Sequence, residues 1–219
     1  MDGSLSQTSR VKPGGHELRR EVVVHHQRER ILAAVVELVA DQGYRATTVT
    51  AIIKRAGVAK LTFYETFDSK EDAFLAAFDA GLSEAGEKVL AATEAADGSF
   101  RARVDAGIGA LLALCAERPA LARAAILEAP KLGSAAGDRH EQALAAFAPI
   151  LSDARASGGG ERLPEGLEQT TLDGLYLLLY EALLSGKPKR IEKLRPALVE
   201  FALLPFLGPV EAARAAAAK

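Results

Sequence analysis

The chain has 219 residues, 49% of them hydrophobic and 26% charged, a balance that excludes a wholly disordered protein. Its uncharged runs fall short of the ~18–20 residues of a membrane span and no signal-peptide pattern opens it, so no membrane partner and a cytoplasmic location are expected. The net charge of −2 is uneven: residues 1–70 hold eleven Lys and Arg against eight Asp and Glu, and residues 71–219 hold sixteen against twenty-one, which favours an anionic partner for the N-terminal part.

Residues 1–24 carry Gly, Ser, Pro and scattered charge without apolar periodicity and read as a flexible arm. Its Arg10, Lys12, Arg19 and Arg20 could follow phosphates or enter a minor groove; a solvated tail is the equal alternative. From His25 the spacing of Ile31, Leu32, Val35, Val36, Leu38 and Val39 predicts a first helix ending at Gly43. Thr47 or Thr48 then offers a cap to a second helix with Val49, Ile52, Ile53 and Ala56 as its apolar stripe, stopped by Gly57. A short third helix over about Ala59 to Phe67 follows, since Phe63 and Phe67 stand one turn apart. Two short helices joined by a tight turn at a glycine make a helix-turn-helix unit, placed here at 25–70.

With Phe63 and Phe67 turned inward, Leu61, Tyr64 and Glu65 project outward and Lys60 and Thr62 flank them, at about 100° per residue. That outer face suits a major groove. Leu61 can meet a thymine methyl, Lys60 a guanine or phosphate, and the hydroxyls of Thr62 and Tyr64 phosphate oxygens. Thr47, Thr48 and the second helix's N-terminal amides form an anion site, with Lys70 as a similar clamp at the next helix. Glu65 receives no role.

Residues 71–219 read as helix throughout, with breaks at Asp97-Gly98, Arg118-Pro119, Pro130 to Gly133 and Ser157 to Pro164, the last around the flexible Gly158-Gly159-Gly160. The fold class is therefore all-α: a three-helix helix-turn-helix domain followed by a larger helical effector-binding and dimerisation domain. Leu172 to Leu184 is apolar on nearly every side, and Leu194, Leu198 and Phe201 repeat at helical spacing beyond it, with Pro196 as a kink or the first position of a new helix. Leu172, Leu175, Leu179, Leu183, Leu194, Leu198 and Phe201 are thus expected to pair the chain with itself as a homodimer, the alternative being burial within one subunit. A ligand site between helices would be lined by larger apolar groups, for which Phe100, Leu111, Leu112, Cys115, Leu127, Phe147 and Tyr176 are candidates. The abundance of Ala and scarcity of aromatics point to a roomy cavity and a lipophilic effector.

The lone Cys115 excludes an internal disulfide and is expected to be a small buried hydrophobe; with no paired Cys or His clusters, neither a metal nor a cofactor is expected. No nucleophile elbow, phosphate loop or His-Glu-x-x-His occurs, so no enzyme is expected. A helical adaptor would not need a basic, hydroxyl-rich third helix.

The runs Gln27-Arg28-Glu29-Arg30-Ile31-Leu32, Gly43-Tyr44-Arg45-Ala46-Thr47-Thr48-Val49, Ala56-Gly57-Val58, Thr62-Phe63-Tyr64 and Phe67-Asp68-Ser69-Lys70-Glu71 resemble, in this order, the DNA-binding domain of the tetracycline-repressor (TetR) family over residues 25–78. The resemblance implies a homodimer whose third helices enter successive major grooves of palindromic double-stranded operator DNA, released by a small ligand. It also implies DNA contacts at Thr48, Lys60, Thr62, Tyr64 and Lys70, and Arg28 lies within the matching run. Ala59 stands where the family usually has serine and Leu61 where glycine or a basic residue is common, which points to lower affinity or an unusual operator.

Overall fold

A computed structural model describes residues 15–154, 163–185 and 188–217. Arg10 and Lys12 lie outside the described residues, as do the Gly158-Gly159-Gly160 loop and the side chains of Arg19 and Arg20. All regular structure among the described residues is helical.

The first helix, α1, is Gly15–Gln42, so residues 15–24 are helix and not the arm expected from composition. Along the described part of α1 before His25, Val22, Val23 and Val24 are all exposed, so no core selects an apolar stripe there. Only from Ile31 onward does α1 bury a face, and that is where periodicity becomes visible.

Helix α2, Val49–Ala56, starts where the Thr48 hydroxyl accepts from the Ala51 amide and stops at Gly57, whose φ of 62° is left-handed. A side chain at Gly57 would also strike the Arg30 guanidinium, which donates to the Gly57 carbonyl at 2.8 Å. Helix α3, Lys60–Thr66, has Ala59 before it and no side-chain cap. Helix α4, Lys70–Ala95, is capped by Ser69, whose hydroxyl accepts from the Asp72 amide. Ile31, Val35 and Val39 of α1 close on Ile52, Phe63, Phe67 and Phe74 to form the core of this N-terminal unit.

Beyond it run α5 (Phe100–Glu117) and α6 (Pro119–Arg123), then a π turn over Ala124–Glu128 and a 3-10 turn over Ala129–Leu132. Helices α7 (Ser134–Ala145), α8 (Ala148–Ala154) and α9 (Leu167–Leu184) follow. A 3-10 stretch, Pro188–Leu194, leads into α10 (Arg195–Leu207) and α11 (Pro209–Ala217). Pro196 sits in the first turn of α10, where its missing N–H costs no hydrogen bond. The π turn packs Ala124 and Ala125, with Ala129 and Leu132 after them, against the N-terminal core. The two parts of the chain therefore share one apolar cluster.

Candidate nucleic-acid interface and ligand cavity

Helix α3 is held from behind by Phe63, buried among Ile31, Ile52 and Phe74, and by Phe67, which closes its C-terminal end. The outer side is left to solvent. Leu61 is 70% exposed and Tyr64 47% exposed, far beyond what an apolar or aromatic residue gains from water. Lys60 reaches along the helix to lie 5.9 Å from the Tyr64 ring centre, and Thr62 is half-buried at the flank. Glu65 is exposed on the same side. Arg28 leans over the Phe67 ring at 5.5 Å, at the edge of this face. Arg45 and Lys54 are also exposed on the same unit; their positions in the turn and in α2 signalled them, but the sequence reading passed over both.

Two expected phosphate ligands have other duties. Thr47 is 1% exposed, its hydroxyl donating to the Gly43 carbonyl at 2.9 Å and accepting from the Gln42 amide at 3.4 Å, so it faces the protein and cannot reach a phosphate. Thr48, next to it, is the exposed cap of α2. Lys70 sends its ammonium back onto the Tyr44 and Thr47 carbonyls, both at 2.8 Å, and over the Tyr44 ring at 4.1 Å. It clamps the turn before α2 to the start of α4 rather than reaching outward.

A cavity of about 170 Å³, open at one mouth, lies between α4, α5, the π turn, α7, α8, α9 and Ala202 of α10. Its wall is apolar, and among the described residues His140 and Tyr176 alone bring polar side chains to it. Phe147, Tyr176 and Leu111 line it as expected. Leu112, Cys115 and Leu127 do not: they are packed with Leu179, Leu183 and Leu198 in a core cluster that adjoins the cavity through Leu179. Phe100 is likewise buried edge-on against Phe206. Burial pushes the Cys115 thiol up to about 11, which leaves it a poor nucleophile. His140, which sequence reasoning missed because one histidine in a polar run carries no signal, packs against Tyr176 with ring centres 4.2 Å apart and planes tilted by 57°. Burial lowers its pKa, with Asp173 opposing, and burial pushes the Tyr176 phenol up to about 12.

The cavity wall is joined to the helix-turn-helix through the π turn. Pro130 lacks the N–H that would bond Ile126 one helical turn earlier. The Tyr176 hydroxyl supplies that bond, donating to the Ile126 carbonyl at 2.8 Å. At the end of the same turn the Glu128 carboxylate accepts from the Tyr44 backbone N–H at 3.0 Å. It sits 3.4 Å from where a Cβ of Gly43 would be, and Gly43 has a φ of 82°. The turn that presents α2 is thus gripped by Glu128 from one side and Lys70 from the other.

The outward face of α9 and α10 differs from the one expected. Leu172, Leu179, Leu183 and Leu198 are buried inside the protomer, where no partner could touch them, and Leu175 and Leu194 are only partly exposed. The side turned to solvent carries Leu177, Leu178 and Leu184 from α9 and Phe201, Leu204 and Leu207 from α10. Phe201 joins the two rows by filling the notch at Gly174, where a Cβ would come within 2.4 Å of its ring. Among the described residues no helix is long and apolar enough to cross a membrane, and no group of three or more His, Cys, Asp or Glu could hold a metal ion.

Residues 31–77 match the model of the tetR family of bacterial regulatory proteins. A fatty acid metabolism regulator protein of Bacillus subtilis is 37% identical over 60 residues, 27% of this chain and 31% of that protein. The HTH-type transcriptional regulator TcmR of Streptomyces glaucescens is 34% identical over 115 residues, 47% of this chain and 48% of its own length. The matched part of this chain thus spans less than half of either relative. The crystal structure of FadR from Bacillus subtilis in complex with stearoyl-CoA superposes with a TM-score of 0.68 at 22% identity, covering 82% of this chain and 98% of that one, a likeness of fold.

Proposed function

Because the N-terminal part of this chain belongs to the tetR family of bacterial regulatory proteins, we propose that the protein is a homodimeric, sequence-specific DNA-binding repressor whose hold on a palindromic operator is relieved by a lipophilic small molecule. The observation that carries this reading is the outer side of α3, where Leu61 and Tyr64 stand in solvent beside Lys60 while Phe63 and Phe67 behind them are buried. In the groove, Leu61 and Tyr64 would meet base edges and sugar, and Lys60, Thr48, Thr62 and Arg28 would fix the register on phosphates. The twin reader comes from a second copy docked on the Leu177, Phe201 and Leu204 face. A regulator of this kind acts in the cytoplasm and needs no catalytic group.

The cavity supports the effector half of the reading. Its apolar wall suits an acyl or similar chain, and the FadR of Bacillus subtilis, whose fold this chain shares, is in complex with stearoyl-CoA. Occupancy would reach the DNA reader through the π turn, since one segment both lines the cavity and holds the Tyr44 amide.

Genomic fragments selected on the purified protein supply the operator for a titration across salt concentrations. Binding should fall steeply with salt, and Lys60→Ala should weaken it on all sequences and reduce the salt slope by about one. Tyr64→Ala should weaken it with an unchanged melting temperature. Full operator affinity in both variants, or a protein with no preference for any duplex, would overturn the reading.

A further inference from the structure

The polar equipment of the cavity restricts what it can hold. Among the described residues every lining side chain other than His140 and Tyr176 is apolar, and no Lys, Arg, Asp or Glu lines the wall. A carboxylate or phosphate drawn inside would lose its hydration without a fixed countercharge, a penalty of several kcal/mol. His140 does not supply that charge: burial favours its neutral form, and the nearby charge is the Asp173 carboxylate, which repels an anion. A pure hydrocarbon fails for the opposite reason. It would strip water from the imidazole and leave its N–H unpaired.

The Tyr176 hydroxyl has one hydrogen, and it is spent on the Ile126 carbonyl that Pro130 leaves without a helical donor. The imidazole makes no such bond, and the tilted Tyr176 ring packed beside it, 4.2 Å between ring centres, holds it at the wall. We infer that His140 is the specificity-determining residue of this cavity, and that the ligand is a long apolar molecule with an uncharged oxygen function, an ester or thioester carbonyl, bonded to the imidazole. Any charged portion stays outside the open mouth. This rests on the lipophilic-effector reading above and adds the class of head group.

The test uses the full-length protein with no DNA present, loaded with the neutral dye Nile red, which is displaced by methyl laurate or by laurate at a pH where laurate is ionised. Methyl laurate should displace the dye at a concentration at least ~tenfold below that of laurate. His140→Phe, which keeps the ring's bulk, should weaken methyl laurate about tenfold, and His140→Gln, which keeps a donor, should recover most of the loss. Equal melting temperatures establish that both variants are folded. Laurate binding as tightly as the ester, or an ester affinity unchanged in His140→Phe, would overturn the inference. Operator binding by the same preparation is measured separately. A protein that grips its operator but prefers laurate loses only this inference, whereas one that prefers the ester but binds no duplex loses only the regulator reading.

Discussion

Thr47 and Thr48 share a side chain and have opposite fates. Thr48 ends in the β region with its hydroxyl on the Ala51 amide, open to solvent; Thr47 turns into the protein and bonds the Gly43 carbonyl. The same contrast separates two lysines. Lys60 extends over the Tyr64 ring at the open side of α3, while Lys70 is consumed by two carbonyls. Substitution should therefore sort them by what is lost. Thr47→Val removes a buried hydroxyl and strands its partners, and Lys70→Met frees the turn before α2. Each should cost about 1–3 kcal/mol in chemical denaturation. Operator affinity per folded molecule at low temperature should fall less for these two than for Lys60→Ala, which costs no stability. An unaltered denaturation midpoint in both would mean that the clamp is idle.

At the scale of an element, the π turn is the part of the chain where one local irregularity serves two neighbours. Its widened ladder ends at Glu128, ahead of Pro130; the Ile126 carbonyl, which Pro130 leaves without its donor, accepts from Tyr176, and the Glu128 carboxylate accepts from the Tyr44 amide. Interruptions of this kind mark functional segments more often than plain helix does. Glu128→Ala removes the grip on the turn before α2, together with an ion pair to the exposed Lys131. The ratio of operator affinities without and with methyl laurate, of order 5–150 for a typical coupled pair of sites, should shrink toward one in this variant while the dye-displacement concentration stays the same. A ratio equal to that of the parent protein would send the coupling by another route. Nothing in the sequence announced this turn, because a π turn differs from a helix by a single displaced hydrogen bond and has no residue pattern of its own. Pro130 to Gly133 marked the break that follows it but not the geometry before.

For the whole molecule, the unpartnered row on α9 and α10 determines what assembly is available. Leu177 is 56% exposed and Leu204 42%, and with Leu184 and Phe201 they are the large apolar side chains that α9 and α10 leave in water, the face proposed above for the second copy. Leu177→Glu combined with Leu204→Glu should convert the protein to monomers in sedimentation velocity and abolish tight operator binding, since one reader alone holds half a palindrome. Leu179→Ala is the control. Its side chain is buried inside the protomer, so it should cost about 2–5 kcal/mol of stability and leave the sedimentation of the folded protein unchanged. A double variant that still sediments as a dimer would mean that the copies meet elsewhere.

Local chemistry and periodicity suffice for much of this. The apolar spacing from Ile31 to Val39, the cap at Thr48, the stop at Gly57 and the two phenylalanines of α3 are properties of short stretches of chain, and each was legible before any coordinates. The ordered runs between Gln27 and Glu71 likewise identified the DNA-binding unit, which the family match over residues 31–77 supports. What the sequence could not resolve is which of two faces an all-apolar helix turns inward. Along Leu172 to Leu184 every register looks alike, so Leu179 and Leu177 are interchangeable on paper, as are Leu112 and Leu111. Only packing separates them: Leu179 is buried in the cluster with Leu112, Leu127 and Leu198, while Phe201 lies against Gly174 on the other side of α9 and Leu177 is left in solvent. The same holds for His140 and Tyr176, far apart in the chain, whose meeting at the cavity wall depends on helices that approach only once the tertiary fold is complete.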